Sequence, residues 1–366
     1  MRRLLARRTA SRRSATAYLL VTGLLAGCAG PGGPPPSGVA TQGPTSQASP
    51  TPAGTPRAPT SAPGPVPSMT TIAPTAVIGV PNSTGVIAVA TDGKSVWAAT
   101  TGAILRIDTA TNTVESLSAP TQSDDTVLSL SDDGLWVARW AGGHLYRLDP
   151  RTGEVLLTID FPKAVRIQHI GEDLWAGRED TSSMYLVDRQ TGAIRQSIAR
   201  GAYATAGLGD LWFTVGLGPR LERVDPASGA VKATIDAKGE SNCNLSGAFP
   251  DSVWLTCFGR DVTARSASRI DPTSNSVATI ATLPPTHGGS VVMVNGRPWF
   301  IGTFEDATGQ SFAGLLLLNP GTGSIERFIS VGPADADASI VAGAALWIPD
   351  EANHRIIRVD VAELGG

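Results

Sequence analysis

The sequence predicts an all-β protein: a seven-bladed β-propeller with four antiparallel strands per blade. Three observations predict it. A tryptophan returns seven times at near-constant spacing, each unit closes in the same kind of Asp- or Asn-led turn, and the segment before the first unit has the character of a strand that the last unit lacks.

The chain opens with an address. Six arginines occupy the first 13 positions, and no acidic residue stands before residue 28. Residues 15–27 form an apolar run of 13, the length of a signal-peptide core and short of the ~18–20 residues a spanning helix needs. The run ends in Leu25-Ala26-Gly27-Cys28, which resembles the bacterial lipobox. That resemblance implies cleavage after residue 27, acylation of Cys28, and a protein held by its lipid on the extracytoplasmic face of a bacterial cell membrane. Ser11-Arg12-Arg13 leaves both the general and the twin-arginine export routes open.

Residues 28–73 read as a tether. Positions 29–73 hold 12 of the 27 prolines and a single charge, Arg57, and such a composition buries too little apolar surface to offset chain entropy. A flexible chain of that length spans roughly 35–40 Å. Removing residues 1–27 leaves 23 basic and 32 acidic residues, net −9. An acidic exported domain excludes nucleic acid as a partner and confines membrane attachment to the lipid. The 17 % charged residues exclude a coiled coil.

From residue 74 to the end the chain repeats. The repeat tryptophans are Trp97, Trp136, Trp175, Trp212, Trp254, Trp299 and Trp347, spaced by 39, 39, 37, 42, 45 and 48 residues. Short Gly/Asp turns such as Asp132-Asp133-Gly134 and Gly209-Asp210 precede them. Apolar alternation ending in segments such as LYRLDPRTGEV (145–155) and LERVDPASGAV (221–231) follows. In such a turn the Asp side chain accepts from backbone N–H groups ahead of it, Pro sets φ, and Gly takes positive φ. The 287 residues from 74 to 360 give 41 per repeat, the size of a four-stranded blade. Each Trp is expected on the second strand, wedged between neighbouring blades. The last unit ends at Asp360 without an outer strand, and Thr75–Val80 is expected to supply it. Cys243 and Cys257 fall on the expected first and second strands of one unit and predict a disulfide.

The unit D-G-x-L-W-V-A … L-Y-R-L-D-P-x-T-G-E-V resembles the bacterial propellers of the YVTN-repeat and streptogramin B lyase-like superfamily. The run Asp350-Glu351-Ala352-Asn353-His354-Arg355-Ile356 is similar to the related NHL repeat. Members of this group include lyases, lactonases, sensors and scaffolds, so the resemblance speaks to fold more than to activity.

Ligands of such folds bind where interblade loops meet the loops between second and third strands. Those loops hold Arg139 and Trp140; Lys163 and Arg166; Arg178, Glu179 and Asp180; Tyr203; Arg260; and Phe304, Glu305 and Asp306. Arg139, Trp140, Arg166, Arg178, Tyr203 and Phe304 are the ligand-binding candidates, with Trp140 the one Trp outside the repeat position. Among four histidines, His144, His169 and His354 read as structural. His287, with Glu305 or Glu351, is the catalytic candidate. The resemblance implies a catalytic His with nearby Glu and Mg²⁺, yet Pro285 and Val215 stand where the lyase pattern places Glu. A Ca²⁺ site from Glu240, Asn242, Asn244 and Asp261 lacks a recognisable ligand spacing. No cofactor is therefore expected outside the enzyme reading, which would use Mg²⁺ or Ca²⁺. The expectation is a monomeric, non-catalytic surface lipoprotein whose propeller face binds an extracellular ligand or protein partner. The alternative is a metal-dependent lyase or lactonase-like enzyme.

Overall fold

The structure, a computed structural model, describes residues 65–80, 86–120, 126–216, 218–237, 243–258, 263–336 and 339–365. The chain divides into Met1–Thr55 and Pro56–Gly366, and all described residues belong to the second unit. The signal segment, Cys28 and most of the expected tether lie outside the described residues, as do Glu240, Asn242, Arg260 and Asp261.

The described residues form antiparallel four-strand meanders, named here by their tryptophans. The Trp97 sheet runs Val86–Thr91, Ser95–Thr100, Ile104–Asp108, Val114–Leu117. The Trp136 sheet runs Thr126–Ser131, Gly134–Arg139, His144–Leu148, Val155–Asp160. The Trp175 sheet runs Ala164–Ile170, Asp173–Arg178, Ser183–Val187, Ile194–Ile198, and the Trp212 sheet Ala204–Gly207, Asp210–Thr214, Arg220–Val224, Val231–Asp236. The Trp347 sheet has Ile340–Ala342, Ala345–Asp350 and Arg355–Asp360, with Ala76–Gly79 paired antiparallel to the last of these. The expected outer strand from the N-terminal side is therefore present.

The Trp254 and Trp299 repeats share one eight-stranded sheet. Its strands from the Trp254 repeat are Cys243–Phe249, Ser252–Phe258 and Thr263–Asp271; those from the Trp299 repeat are Arg297–Glu305, Ser311–Leu318 and Ile325–Ser330. Ser276–Val294 joins the two halves as a single 19-residue strand. Its Pro284-Pro285 falls in the register shift between the Ser266–Thr282 and Ala264–Thr286 pairs, where a missing N–H costs no ladder bond. The eighth strand, Thr70–Thr71, pairs parallel with Ile329 and Ser330, and Ile72 packs into the core beside it. The β-structure thus begins before residue 74, inside the segment assigned to the tether.

Every repeat Trp lies on a second strand and is buried, from 0 to 3 % exposed. The cause is the period-two alternation of a strand covered on both faces. Trp97 and Ala99 point toward Leu135, Val137 and Leu148 of the next sheet. Val96 and Ala98 point the other way, into a cluster with Trp347, Ile356 and Ile78. Each inter-sheet cluster holds one such indole, and removing one costs ~3–5 kcal/mol.

A hydrogen bond accompanies each wedge, running from one repeat to the closing segment of the next. Trp97 Nε1 donates to Pro150 O at 2.8 Å, Arg147 Nη1 to Arg189 O at 3.0 Å, Gln196 Nε2 to Pro226 O at 2.9 Å and Arg223 Nη1 to Pro272 O at 2.6 Å. Thr279 Oγ1 donates to Pro320 O at 2.8 Å, Arg327 Nη1 to Gly365 O at 3.0 Å and Arg358 Nη1 to Asn112 Oδ1 at 2.9 Å. Arg147, Arg223 and Arg358 occupy one repeat position, and each guanidinium also lies over its own sheet's indole, 5.9, 5.2 and 5.6 Å from the centroid.

Cys243 and Cys257 are directly cross-strand and form the expected disulfide. The closing turns also follow the expected chemistry. Asp149 Oδ1 accepts from Arg151 N at 2.8 Å and Thr152 N at 3.0 Å, and Asp188, Asp225, Asp271 and Asp108 repeat the pattern. Gly153 takes φ 77° in one such turn and Asn275 takes φ 52° in another. The backbone N–H donors hold these Asp carboxyls below their ordinary value of 3.8. A carboxylate whose folded pKa lies below its unfolded one stabilises the fold above the unfolded value and loses that contribution as pH falls through the folded one. The Tm by circular dichroism is expected to hold from neutral pH down to about 5 and to fall below about 3.8. Asp149→Asn with Asp225→Asn keeps the acceptor, as Asn319 does toward Gly321 and Thr322, and is expected to shallow that fall. An unaltered acid limb would contradict the assignment.

Candidate functional site

In each meander the turns joining strands one to two and three to four lie at one edge. The turn joining strands two to three lies at the other, with the crossing to the next sheet. The ligand-binding candidates sit at this second edge, and three consecutive sheets contribute. Trp140 follows Gly134–Arg139, Lys163 precedes Ala164–Ile170, Glu179 follows Asp173–Arg178, and Tyr203 precedes Ala204–Gly207.

These side chains meet on one carboxylate. Trp140 Nε1 donates to Glu179 Oε2 at 2.5 Å, and the Tyr203 hydroxyl donates to Glu179 Oε1 at 3.3 Å. Lys163 Nζ stands 3.2 Å from the centroid of the Trp140 ring. Lys163 has positive φ, 55°, and its carbonyl accepts from Glu179 N at 3.0 Å, which sets the two side by side. Tyr203 is 46 % exposed and presents its ring to solvent. Arg166 Cζ lies 5.9 Å from the Tyr203 centroid. Arg178 grips Asp180 with Nε at 3.2 Å and Nη2 at 2.8 Å, and its hydrogen bond lowers the Asp180 pKa. Arg178 also lies over Phe161 and Tyr185, 5.7 Å from each centroid.

Phe304 and Arg166 lie within strands and not in the loops where the sequence placed them, and Arg139 and Arg178 are the last residues of theirs. Phe304 is 2 % exposed and packs on Phe300, Phe312 and Phe328. Its strand runs on to Glu305, so the apparent loop aromatic is core and cannot meet a ligand. Arg166 stands within a first strand, just past the register shift between Ala164 and Arg166, and not in the loop.

His287 also lies in a strand, opposite Thr303, and the following Gly288 and Gly289 have positive φ. His287 Nε2 is 3.6 Å from Glu305 Oε1, so this expected pair does converge. Glu351 is exposed on the turn after Ala345–Asp350. Among the described residues no three His, Cys, Asp or Glu side chains gather to hold a metal ion. Two donors do not make an ion site, so the Mg²⁺ implied by the resemblance does not fit the described residues. Asn244 lies on Cys243–Phe249, and its three expected Ca²⁺ co-ligands are outside the described residues.

His169 is on a first strand, as expected. Burial and then Arg189 lower its pKa against the pull of Asp133 and Asp132, and both of its ring nitrogens are buried with no hydrogen-bond partner. His144 stacks edge-on against Tyr146, 5.7 Å between centroids.

Sequence reasoning missed Gly177. A Cβ there would stand 1.9 Å from Ala202 O. Only glycine lets the segment carrying Tyr203 lie against the second strand of the Trp175 sheet, and the signal was visible as Gly where the Trp97 and Trp136 repeats have Ala99 and Ala138.

No known family model matches the chain, and no curated protein matches it. Solved structures do. A chain of the mitotic checkpoint complex aligns with TM-score 0.62 at 10 % identity over 78 % of this chain and 94 % of that one. Hydrazine synthase of Kuenenia stuttgartiensis aligns with TM-score 0.54 at 11 % identity over 77 % and 78 %. Dihydro-heme d1 dehydrogenase NirN aligns with TM-score 0.52 at 14 % identity over 75 % and 66 %. The fold is propeller-type. At these identities the likeness carries the fold alone.

Gly177→Ala is expected to push the Ala202–Tyr203 segment away and lower stability by ~1–3 kcal/mol, read as a reduced Tm. Full retention of Tm would show that the close approach does not constrain the site.

Proposed function

We propose that the protein is a non-catalytic, lipid-anchored binding module on the extracytoplasmic face of a bacterial membrane. In this reading Cys28 carries the lipid and the Pro-rich segment is the spacer. The described sheets are a seven-bladed ring of the YVTN-repeat and streptogramin B lyase-like type, and its loop edge recognises an extracellular ligand or partner. The seven buried indoles support the blade number. The pairing of Ala76–Gly79 with Arg355–Asp360, the Val96–Trp347 packing and the Arg358–Asn112 hydrogen bond support closure of last blade onto first.

The observation that carries the functional reading is the Trp140–Lys163–Glu179–Tyr203 assembly. It is built from three consecutive sheets, fixed by charge and hydrogen bonds, and aromatic on an accessible edge, which is the composition of a recognition surface.

A second reading is favoured by one observation, the 3.6 Å approach of His287 to Glu305. An acid–base pair at a loop edge suits ring-opening of lactones or cyclic depsipeptides. The two readings separate on turnover. Wild type and His287→Ala are given lactone and cyclic depsipeptide substrates with Mg²⁺ or Ca²⁺, and in parallel a ligand library read by thermal shift. The binding reading expects no turnover, and ligands whose stabilisation is lost in Trp140→Ala and kept in His287→Ala. Metal-dependent turnover that His287→Ala abolishes would overturn it.

A further inference from the structure

The candidate face holds a cation that no carboxylate among the described residues neutralises. Several partly buried arginines elsewhere are paired: Arg147 with Asp133 at 3.2 Å, Arg189 with Asp132 at 3.0 Å, Arg223 with Asp210 at 2.6 Å, Arg355 with Asp350 at 2.7 Å and Arg358 with Asp360 at 2.9 Å. Arg166 is different. No ion pair reaches its guanidinium among the described residues, and its Nε, like those of Arg139 and Arg147, is buried with no hydrogen-bond partner. Burial lowers its pKa, opposed by the Tyr203 phenol. Glu179, which follows the partner strand Asp173–Arg178, is already occupied by Trp140 and Tyr203. Arg178 is satisfied by Asp180.

An unpaired guanidinium taken out of water destabilises a fold. Such a group is tolerated where a ligand completes it. Arg166 as a residue is not sealed: it retains partial exposure while its Nε is covered. Of its three guanidinium nitrogens only Nε is sealed without a partner. Arg139 also has a buried Nε without a partner. It differs in being folded over its own turn, where a Cβ at Gly142 would stand 3.2 Å from its Cζ.

We propose that Arg166 is the anchoring cation of an oxyanion site, taking a carboxylate or phosphate group of the ligand beside the Tyr203 ring. The guanidinium fork matches either group in a paired, planar geometry. The exposed Tyr203 ring offers an apolar platform for the body that carries the charge. This deepens the binding-module reading and rests on it. The ligand class it names is an anionic small molecule or an acidic chain end, recognised at the junction of the Trp175 and Trp212 sheets.

The test uses the folded protein with inorganic phosphate and acetate as separate titrants, against chloride at matched ionic strength. At least one oxyanion is expected to raise the Tm of wild type saturably. Arg166→Gln is expected to weaken that binding by about tenfold or more, and Arg166→Lys to keep part of it. Arg166→Gln is also expected to raise the Tm of the ligand-free protein, because it removes an uncompensated cation. Phosphate acting alone identifies phosphate-bearing ligands, and acetate acting alone identifies carboxylates. No response to either titrant, or an equal response in wild type and Arg166→Gln, overturns the oxyanion site. A lower ligand-free Tm in Arg166→Gln with binding unchanged assigns Arg166 to structure and overturns it as well. Either failure leaves the recognition face to be judged on Trp140→Ala.

Discussion

The structure depends on one repeated junction: an indole from the second strand of one sheet sunk against the next sheet, with a hydrogen bond running to that sheet's closing segment. A four-stranded meander alone has two apolar faces and cannot cover either. Trp136, for example, needs Ala164, Ile167 and Leu174 of its neighbour to leave water. The hydrogen bond then sets the angle at which the sheets meet. In three repeats a single arginine does both jobs, lying over its own indole while donating to the next turn. Because that turn is held rigid by an Asp or Asn side chain, its carbonyl is a fixed target. The cooperativity of the domain follows, since no junction forms without both sheets.

This construction separates the two edges of the sheets. The edge carrying the closing turns is dense with ion pairs and side-chain hydrogen bonds. Arg189 bridges Asp132, Asp133 and Glu172 there, and Asp133 stays ionised because hydrogen bonds from Ser131, Trp136 and Arg147 outweigh the opposing effect of its burial. The opposite edge carries no such burden and is free to present Trp140, Tyr203 and Lys163. It is also where Arg166 is left unpaired and where His287 approaches Glu305. Rigid strands hold the loops, and the loops hold the chemistry.

Much of the fold was legible because its signals are local and periodic. The tryptophan spacing located every second strand, the Asp-led turns located the closing hairpins, and the alternation in Thr75–Val80 identified the strand that completes the Trp347 sheet. The cross-strand cysteines followed from the same register. What escaped reading depended on partners distant in sequence. The arginine of LYRLD looks like an ordinary exposed residue until the turn of the next sheet is placed against it. Pro284-Pro285 reads as a break, yet a register shift lets one strand run through it. Phe304 reads as a loop aromatic because the strand boundary beyond it is set by pairing with Phe312, not by a turn residue. Arg166 and Gly177 acquire meaning only from the neighbouring Trp212 sheet. The candidate site was thus legible as a set of loops, and its internal geometry was not.

In the proposed ring, adjacent repeats are locked together and the last repeat grips the first through the same junction. Native-state hydrogen exchange on Arg358→Ala tests it most directly. Loss of the guanidinium removes the link to Asn112 and the cover over Trp347. The account predicts faster amide exchange on both sides of that seam, in Arg355–Asp360 and in Ile104–Asp108, with strands of the Trp175 sheet little changed. Faster exchange confined to Arg355–Asp360, with the Trp97 sheet as protected as in wild type, would contradict it.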